Sequence, residues 1–215
     1  MLFRSETPLR TGNLRDPNGP QSTFAAESFI DEMAAAAGKD PLDYRRTLLA
    51  SEPRHLNVLN IAAQKSGWGT ALPAGRSRGV SVMDGYGSYL AVVSEVSVAN
   101  GEIQVHKVTV AADLGSMVNP NIVEQQIESS VIFGLSAALF GEITVKNGVV
   151  EQSNFNDYPV VRMNQSPAIN ITLVPSGGKP GGIGEPVTAM IGPAVANAVF
   201  AGTGKRLRKM PLRMA

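Results

Sequence analysis

Cysteine is absent from this chain of 215 residues. That excludes disulfides, thiol catalysis and cysteine-held iron–sulfur clusters within it. Histidine is scarce. His55 and His106 lie far apart and show no metal-ligand spacing, so no metal ion held by this chain's own side chains is expected. Net charge is low as well, a formal +1, which removes the broad electrostatic case for nucleic acid or an anionic membrane surface. The one basic cluster, Lys205-Arg206-Leu207-Arg208-Lys209, reads better as the complement of a helix end or as cover for a partner. No apolar run is long enough to cross a bilayer. The N-terminal residues Met1 to Glu6 carry an acid and no apolar core segment, so no signal peptide is expected. A cytoplasmic or periplasmic location follows as the expectation.

What is present is a hydrophobic content of 43%, enough for one or two domains with a real core. Residues 1–20 have no periodicity and read as loop, with Arg4, Arg10 and Arg15 in it. A helix is expected over 22–37, with Ala26, Phe29, Ile30, Met33 and Ala37 as its apolar face. Asp40-Pro41 is a cap followed by proline, so a second helix runs over 41–49. A third, over 53–65, sets Leu56, Leu59, Asn60 and Ala63 on one side and stops at Gly67. Residues 68–79 read as a linker anchored by Trp68. Strands follow over 89–98 and 102–110, joined at Asn100-Gly101, a strong hairpin turn. Asn119-Pro120 opens a helix over 120–139 with few charges and many small residues, expected to pack on most sides. A second hairpin turns at Asn147-Gly148, and residues 169–174 alternate as a half-buried strand. Hairpins and helices without βαβ alternation indicate an α+β fold, with a helical segment over 1–70 and a larger domain over 71–215.

The densest signal is Gly177-Gly178-Lys179-Pro180-Gly181-Gly182-Ile183-Gly184-Glu185-Pro186-Val187-Thr188, with five glycines, two prolines and one acid in twelve residues. A strand precedes it and an Ala- and Val-rich helix over 188–201 follows. Strand, glycine loop, acid and helix bring backbone close to a bound group and fix one side chain beside it. A long surface turn with a solvated glutamate is the plain alternative. The lysine–serine pair of a P-loop is missing, and no GxGxxG opens a helix after a first strand, so a nucleotide cradle of either type is not expected.

These residues resemble a family. The loop ending Ile183-Gly184-Glu185-Pro186 is similar to the active-site glutamate motif of the molybdenum hydroxylases, the xanthine dehydrogenase and aldehyde oxidase group. Leu14-Arg15-Asp16-Pro17-Asn18-Gly19-Pro20-Gln21, with Glu27 to Glu32 behind it, resembles the arginine loop and its helix. Asp113-Leu114-Gly115 with Asn119-Pro120, and then Gln126-Ile127-Glu128 with Gly134-Leu135, resemble the loop and helix that contact the cofactor. The four stretches occur in the family's order and cover most of the chain. Glu151 to Pro159 and Gly204 to Arg208 resemble the isoquinoline 1-oxidoreductase beta-subunit branch, of which this looks like the C-terminal part. Two departures stand out. The Met-Gly-Gln-Gly and Gly-Gly-x-Phe-Gly loops of the family are not in this chain, and Asp16 and Pro17 stand where many members carry glycine and an aromatic.

The resemblance implies a molybdopterin-binding α+β domain that helps insert water-derived oxygen into an aldehyde or a carbon beside a ring nitrogen. It implies Glu185 as the catalytic base, Arg15 as substrate-binding, and Gln126, Gly182 and Gly184 as cofactor-binding. It further implies a molybdenum–molybdopterin cofactor in the cytosine dinucleotide form, shared with the remainder of the large subunit, and a [2Fe–2S] small subunit as electron partner. An inactive scaffolding fragment and an unrelated small-ligand-binding domain are the competing readings.

Overall fold

The computed structural model describes residues 12–214, so Arg4 and Arg10 lie outside the described residues. Helices α1 (Gly19–Ala36), α2 (Pro41–Leu48) and α3 (Pro53–Ser66) come first. Strands β1 (Arg76–Gly85), β2 (Ser88–Ala99) and β3 (Glu102–Asp113) follow, then α4 (Pro120–Phe140), the short pair β4 (Val145–Lys146) and β5 (Val149–Val150), β6 (Ala168–Leu173) and α5 (Val187–Thr203). The fold is α+β. Among the described residues the main sheet runs in the order β1-β2-β3-β6. The first three strands are antiparallel, and β6 lies parallel to β3 after the crossover through α4.

Local chemistry sets many of the ends. Asp40 accepts the amides of Leu42 and Asp43 at 2.8 and 3.1 Å, capping α2. Asn119 caps α4 by accepting the Ile122 amide at 3.3 Å. Both Asn-Gly turns adopt the two positive φ values of a tight hairpin, 53° and 81° at Asn100-Gly101, 51° and 79° at Asn147-Gly148.

The sheet separates two cores, as a period of two requires. Leu90, Val92, Val108 and Val110 face α4 and α5, while Ala91, Val93, Val80 and Val82 meet Val58, Leu59 and Ala62 of α3 and Leu42 of α2. Helix α5 is buried from Val187 to Val199. Each of its Val, Ile and Met side chains contributes ~1.5–3 kcal/mol through burial.

Four expectations need correction. First, the linker ends before Arg76, and β1 occupies its last residues. The strand was hidden because the residues it turns towards α5 are small. Ser77 and Ser81 donate to the Ala198 and Met190 carbonyls, at 2.6 and 2.8 Å. A Cβ at Gly79 would come within 2.1 Å of the Ala198 nitrogen. Second, α1 buries its polar side. Thr23, Glu27, Ser28, Asp31 and Ala34 are inside, while Phe29 is 60% exposed. Arg45 reaches the Glu27 carboxylate at 2.9 Å, Arg206 reaches Asp31 at 2.5 Å, and Glu27 also accepts the Val82 amide on the sheet edge at 2.9 Å. Unpaired edge amides need such cover. Third, α4 buries one face through Val123, Ile127, Val131 and Leu135, and leaves Ile122 and Phe133 exposed. Fourth, Asn60 on α3 is exposed, and Val58 and Ala62 take the inner positions beside Leu59 and Ala63.

Candidate functional site

The glycine loop hangs between β6 and α5 and is held from two sides. On one, Gly181 donates its amide to the Leu114 carbonyl at 2.8 Å, and Ser116 donates to the Gly178 carbonyl at 2.9 Å from both its backbone and its hydroxyl. On the other, Gly182 donates to the Tyr86 carbonyl at 2.8 Å and accepts from the Ser88 hydroxyl at 2.7 Å. A Cβ at Gly181 would lie 2.5 Å from the Ser88 hydroxyl oxygen, and one at Gly182 would lie 2.9 Å from Tyr86. A Cβ at Gly184 would meet nothing within 4 Å.

Arg15 joins the three regions singled out by their motifs. Its Nε donates to the Gly184 carbonyl at 2.9 Å and its Nη2 shares that acceptor. Nη2 also donates to the Gln126 side-chain oxygen at 3.0 Å, and Nη1 to the Ser129 hydroxyl at 2.8 Å. The guanidinium sits 5.9 Å from the Phe133 ring centre. All of these hydrogen-bond partners are neutral, and among the described residues Arg15 forms no ion pair.

Glu185 directly follows Gly184, the residue whose carbonyl holds this cation. Its Oε2 accepts the Asp16 backbone amide at 2.7 Å. Asp16 is itself 2% exposed and accepts the Tyr86 hydroxyl at 2.9 Å on Oδ1. Its buried Oδ2 has no hydrogen-bond partner. Burial pushes the Asp16 carboxyl above its usual range, the Tyr86 bond pulls it back, and the charge of Glu185 adds to the rise. The same hydrogen bond, with burial and the two acids, pushes the Tyr86 phenol up to about 12.

The structure therefore brings Arg15, Gln126, Gly182, Gly184 and Glu185 to one place. Three participants carried no recognised sequence signal: Tyr86, Ser129 and Phe133. Ser129 lies three residues beyond Gln126, on the same helix face, which is the one cue that could have found it. Among the described residues no group of three or more His, Asp and Glu side chains could hold a metal ion. No helix among them is long and apolar enough to cross a membrane. His55 stacks edge-on against Tyr89 and His106 bonds Ser97 at 2.7 Å, both away from this site. The basic cluster near the C-terminus pairs with α1, through Arg206 to Asp31 and Arg208 to Glu32.

Residues 25–167 match the molybdopterin cofactor-binding domain family. That span includes Gln126 and ends before the glycine loop. The isoquinoline 1-oxidoreductase subunit beta of Brevundimonas diminuta is 36% identical over 200 residues, covering 91% of this chain and 26% of the relative. The membrane-bound aldehyde dehydrogenase of Gluconacetobacter polyoxogenes is 32% identical over 238 residues, covering 98% and 30%. The aldehyde oxidoreductase of Desulfovibrio desulfuricans superposes with a TM-score of 0.73 over 93% of this chain and 40% of that one, at 15% identity, a likeness of fold. The chain thus spans about a quarter to a third of the length of these two curated relatives.

Proposed function

This chain belongs to the molybdopterin cofactor-binding domain family, and from that premise we propose that it is the C-terminal portion of a molybdenum hydroxylase catalytic subunit. Family membership removes the reading as an unrelated ligand-binding domain. The observation that carries the proposal is the meeting of Glu185 with Arg15 and Gln126, residues brought from three distant segments to one open face.

The residues fit one side of a pterin site. The Gln126 side chain uses its oxygen on Arg15, and among the described residues its NH2 donates to nothing. The backbone at Gly184 has room above it. Gln126 and the exposed edge at Gly182 and Gly184 would hold the group, with hydrogen-bonding atoms on one side only. The remainder of the large subunit would supply the other side, since the two further glycine loops of the family are not in this chain. The group is proposed to be the cytosine dinucleotide form of the molybdenum cofactor. When bound, it supplies the redox chemistry and takes the electrons removed from the substrate.

This chain supplies a base and a field. Glu185 is fixed through Oε2 by the Asp16 amide, which leaves Oε1 to take a proton from the water-derived oxygen as that oxygen adds to substrate carbon. Arg15, held on neutral hydrogen-bond partners, is placed to stabilise negative charge developing on the substrate. The names of the relatives support an aldehyde or a nitrogen heteroaromatic as substrate. These residues hold no cysteine to carry the electrons away, and a small subunit with two [2Fe–2S] clusters is proposed to take them. A cytoplasmic or periplasmic complex is proposed.

The test is Glu185→Gln in the assembled enzyme. Turnover should fall by at least ~100-fold, the usual cost of losing a general base, with molybdenum content unchanged. A variant with full metal and wild-type turnover refutes the role.

A further inference from the structure

The turn between β1 and β2 is built from Tyr86 and Gly87, with φ of 55° and 79°. Those are close to the values of the two other tight hairpins among the described residues, both of which use Asn-Gly. Asparagine suits the first position, because its short polar side chain tolerates the left-handed conformation. A bulky tyrosine is strained there. A turn needed only to reverse the chain has no reason to carry it. Such outliers persist where the surroundings use them.

Tyr86 is used twice. Its carbonyl accepts the Gly182 amide at 2.8 Å, which ties the hairpin to the glycine loop. Its hydroxyl donates to Asp16 Oδ1 at 2.9 Å. Asp16 is a second left-handed residue, with φ of 65°, and in that conformation its amide donates to Glu185 Oε2 at 2.7 Å. The hairpin tip therefore grips Glu185 from both ends, through the loop that carries it and through the residue that holds its carboxylate. That bond, made to a buried carboxyl, is the main reason the phenol is pushed up to about 12.

We propose that Tyr86 and Asp16 are positioning residues for Glu185, a clamp that fixes one carboxylate oxygen and aims the other. The proposal rests on the reading of Glu185 as the base. It also gives a use to Asp16, the departure from the family's arginine loop. An aspartate at this position supplies the acceptor that a tyrosine at the hairpin tip requires, and glycine could not.

Three variants test it in the assembled enzyme. Tyr86→Phe removes the hydroxyl alone. It should lower kcat on the order of tenfold, the size of one lost positioning hydrogen bond, with KM and molybdenum content unchanged. Tyr86→Asn loses the same bond to Asp16 but installs the better turn residue, so its thermal midpoint should lie above that of Tyr86→Phe while its kcat is no higher. A merely structural tyrosine would move the two together. Asp16→Asn keeps an acceptor for Tyr86 and tolerates the left-handed backbone, so it should retain far more kcat than Asp16→Ala. Hydrogen exchange of the Asp16 amide, followed by mass spectrometry, gives a readout independent of turnover. It should speed up in Tyr86→Phe. Wild-type kcat in Tyr86→Phe, or an unchanged Asp16 exchange rate, overturns the clamp. Glu185→Gln measured alongside separates the two ideas. If it is inactive while Tyr86→Phe is fully active, the clamp alone fails. If it is fully active, the base assignment fails.

Discussion

Acid should loosen the glycine loop through Asp113. This residue ends β3 and its side chain is buried. Arg54 of α3 grips it with two bonds, Nε to Oδ2 at 2.8 Å and Nη2 to Oδ1 at 2.6 Å. The Ser176 hydroxyl and the Gly115 amide add bonds to Oδ1 at 2.6 and 3.0 Å. Ser176 opens the glycine loop, and Ser116 beside Gly115 holds Gly178, so the network fixes one end of the segment that carries Glu185. Burial alone would raise the Asp113 carboxyl. The bonds from Arg54, Ser176 and Gly115 outweigh it and bring the group down to about 2.

A carboxyl depressed in the folded state adds stability above its unfolded value and loses it as pH falls through the folded one. The window here runs from about pH 4 down to about 2. The drop from 3.8 to about 2, at about 1.4 kcal/mol per unit, sets a ceiling of about 2.5 kcal/mol. The Arg54 side chain is 36% exposed, and water screens it, so ~1–2 kcal/mol is expected. Urea unfolding of wild type and Asp113→Asn, in steps from pH 7 to pH 2.5, isolates this group from the other carboxylates. Asp113→Asn should be less stable at neutral pH by about that amount, and the gap should close across the window. A gap that stays constant with pH would refute the linkage and leave Asp113 a packing residue.

Gly79→Ala should destabilise the fold by ~1–3 kcal/mol, the usual cost of overpacking, because its Cβ would press on the α5 backbone at Ala194 and Ala198; an unchanged thermal midpoint would refute the close approach. Gly184→Ala should leave stability unchanged, since its Cβ meets nothing within 4 Å and its φ is not positive. It should lower molybdenum retention after dialysis, and full retention would remove Gly184 from the cofactor's surroundings.

What could be read from the sequence was what short segments decide for themselves. Asp40-Pro41 and Asn119-Pro120 start helices because cap and proline act within one turn. Asn100-Gly101 and Asn147-Gly148 reverse the chain because two residues set the twist. The misses came where a distant partner decides. Strand β1 lacks apolar alternation because α5, more than a hundred residues away, needs small residues opposite it. The parallel seat of β6 beside β3 depends on the crossover through α4, which no local pattern encodes.

Helix α1 shows why periodicity alone chose the wrong side. Its apolar stripe is real, yet the opposite stripe carries Glu27 and Asp31, which meet Arg45 and Arg206. Buried carboxylates are costly unless paired and hydrogen-bonded, and here both conditions are met by residues 18 and 175 positions away. The site divides along the same line. The convergence of Glu185, Arg15 and Gln126 was legible because each sits in a motif. Tyr86 was not, because its two bonds run to residues 70 and 96 positions away, on loops from opposite ends of the chain. The one local trace of its role was a tyrosine in a turn that favours asparagine. Read as an anomaly needing a cause, that residue leads from the hairpin to Asp16 and from Asp16 to the carboxylate of Glu185.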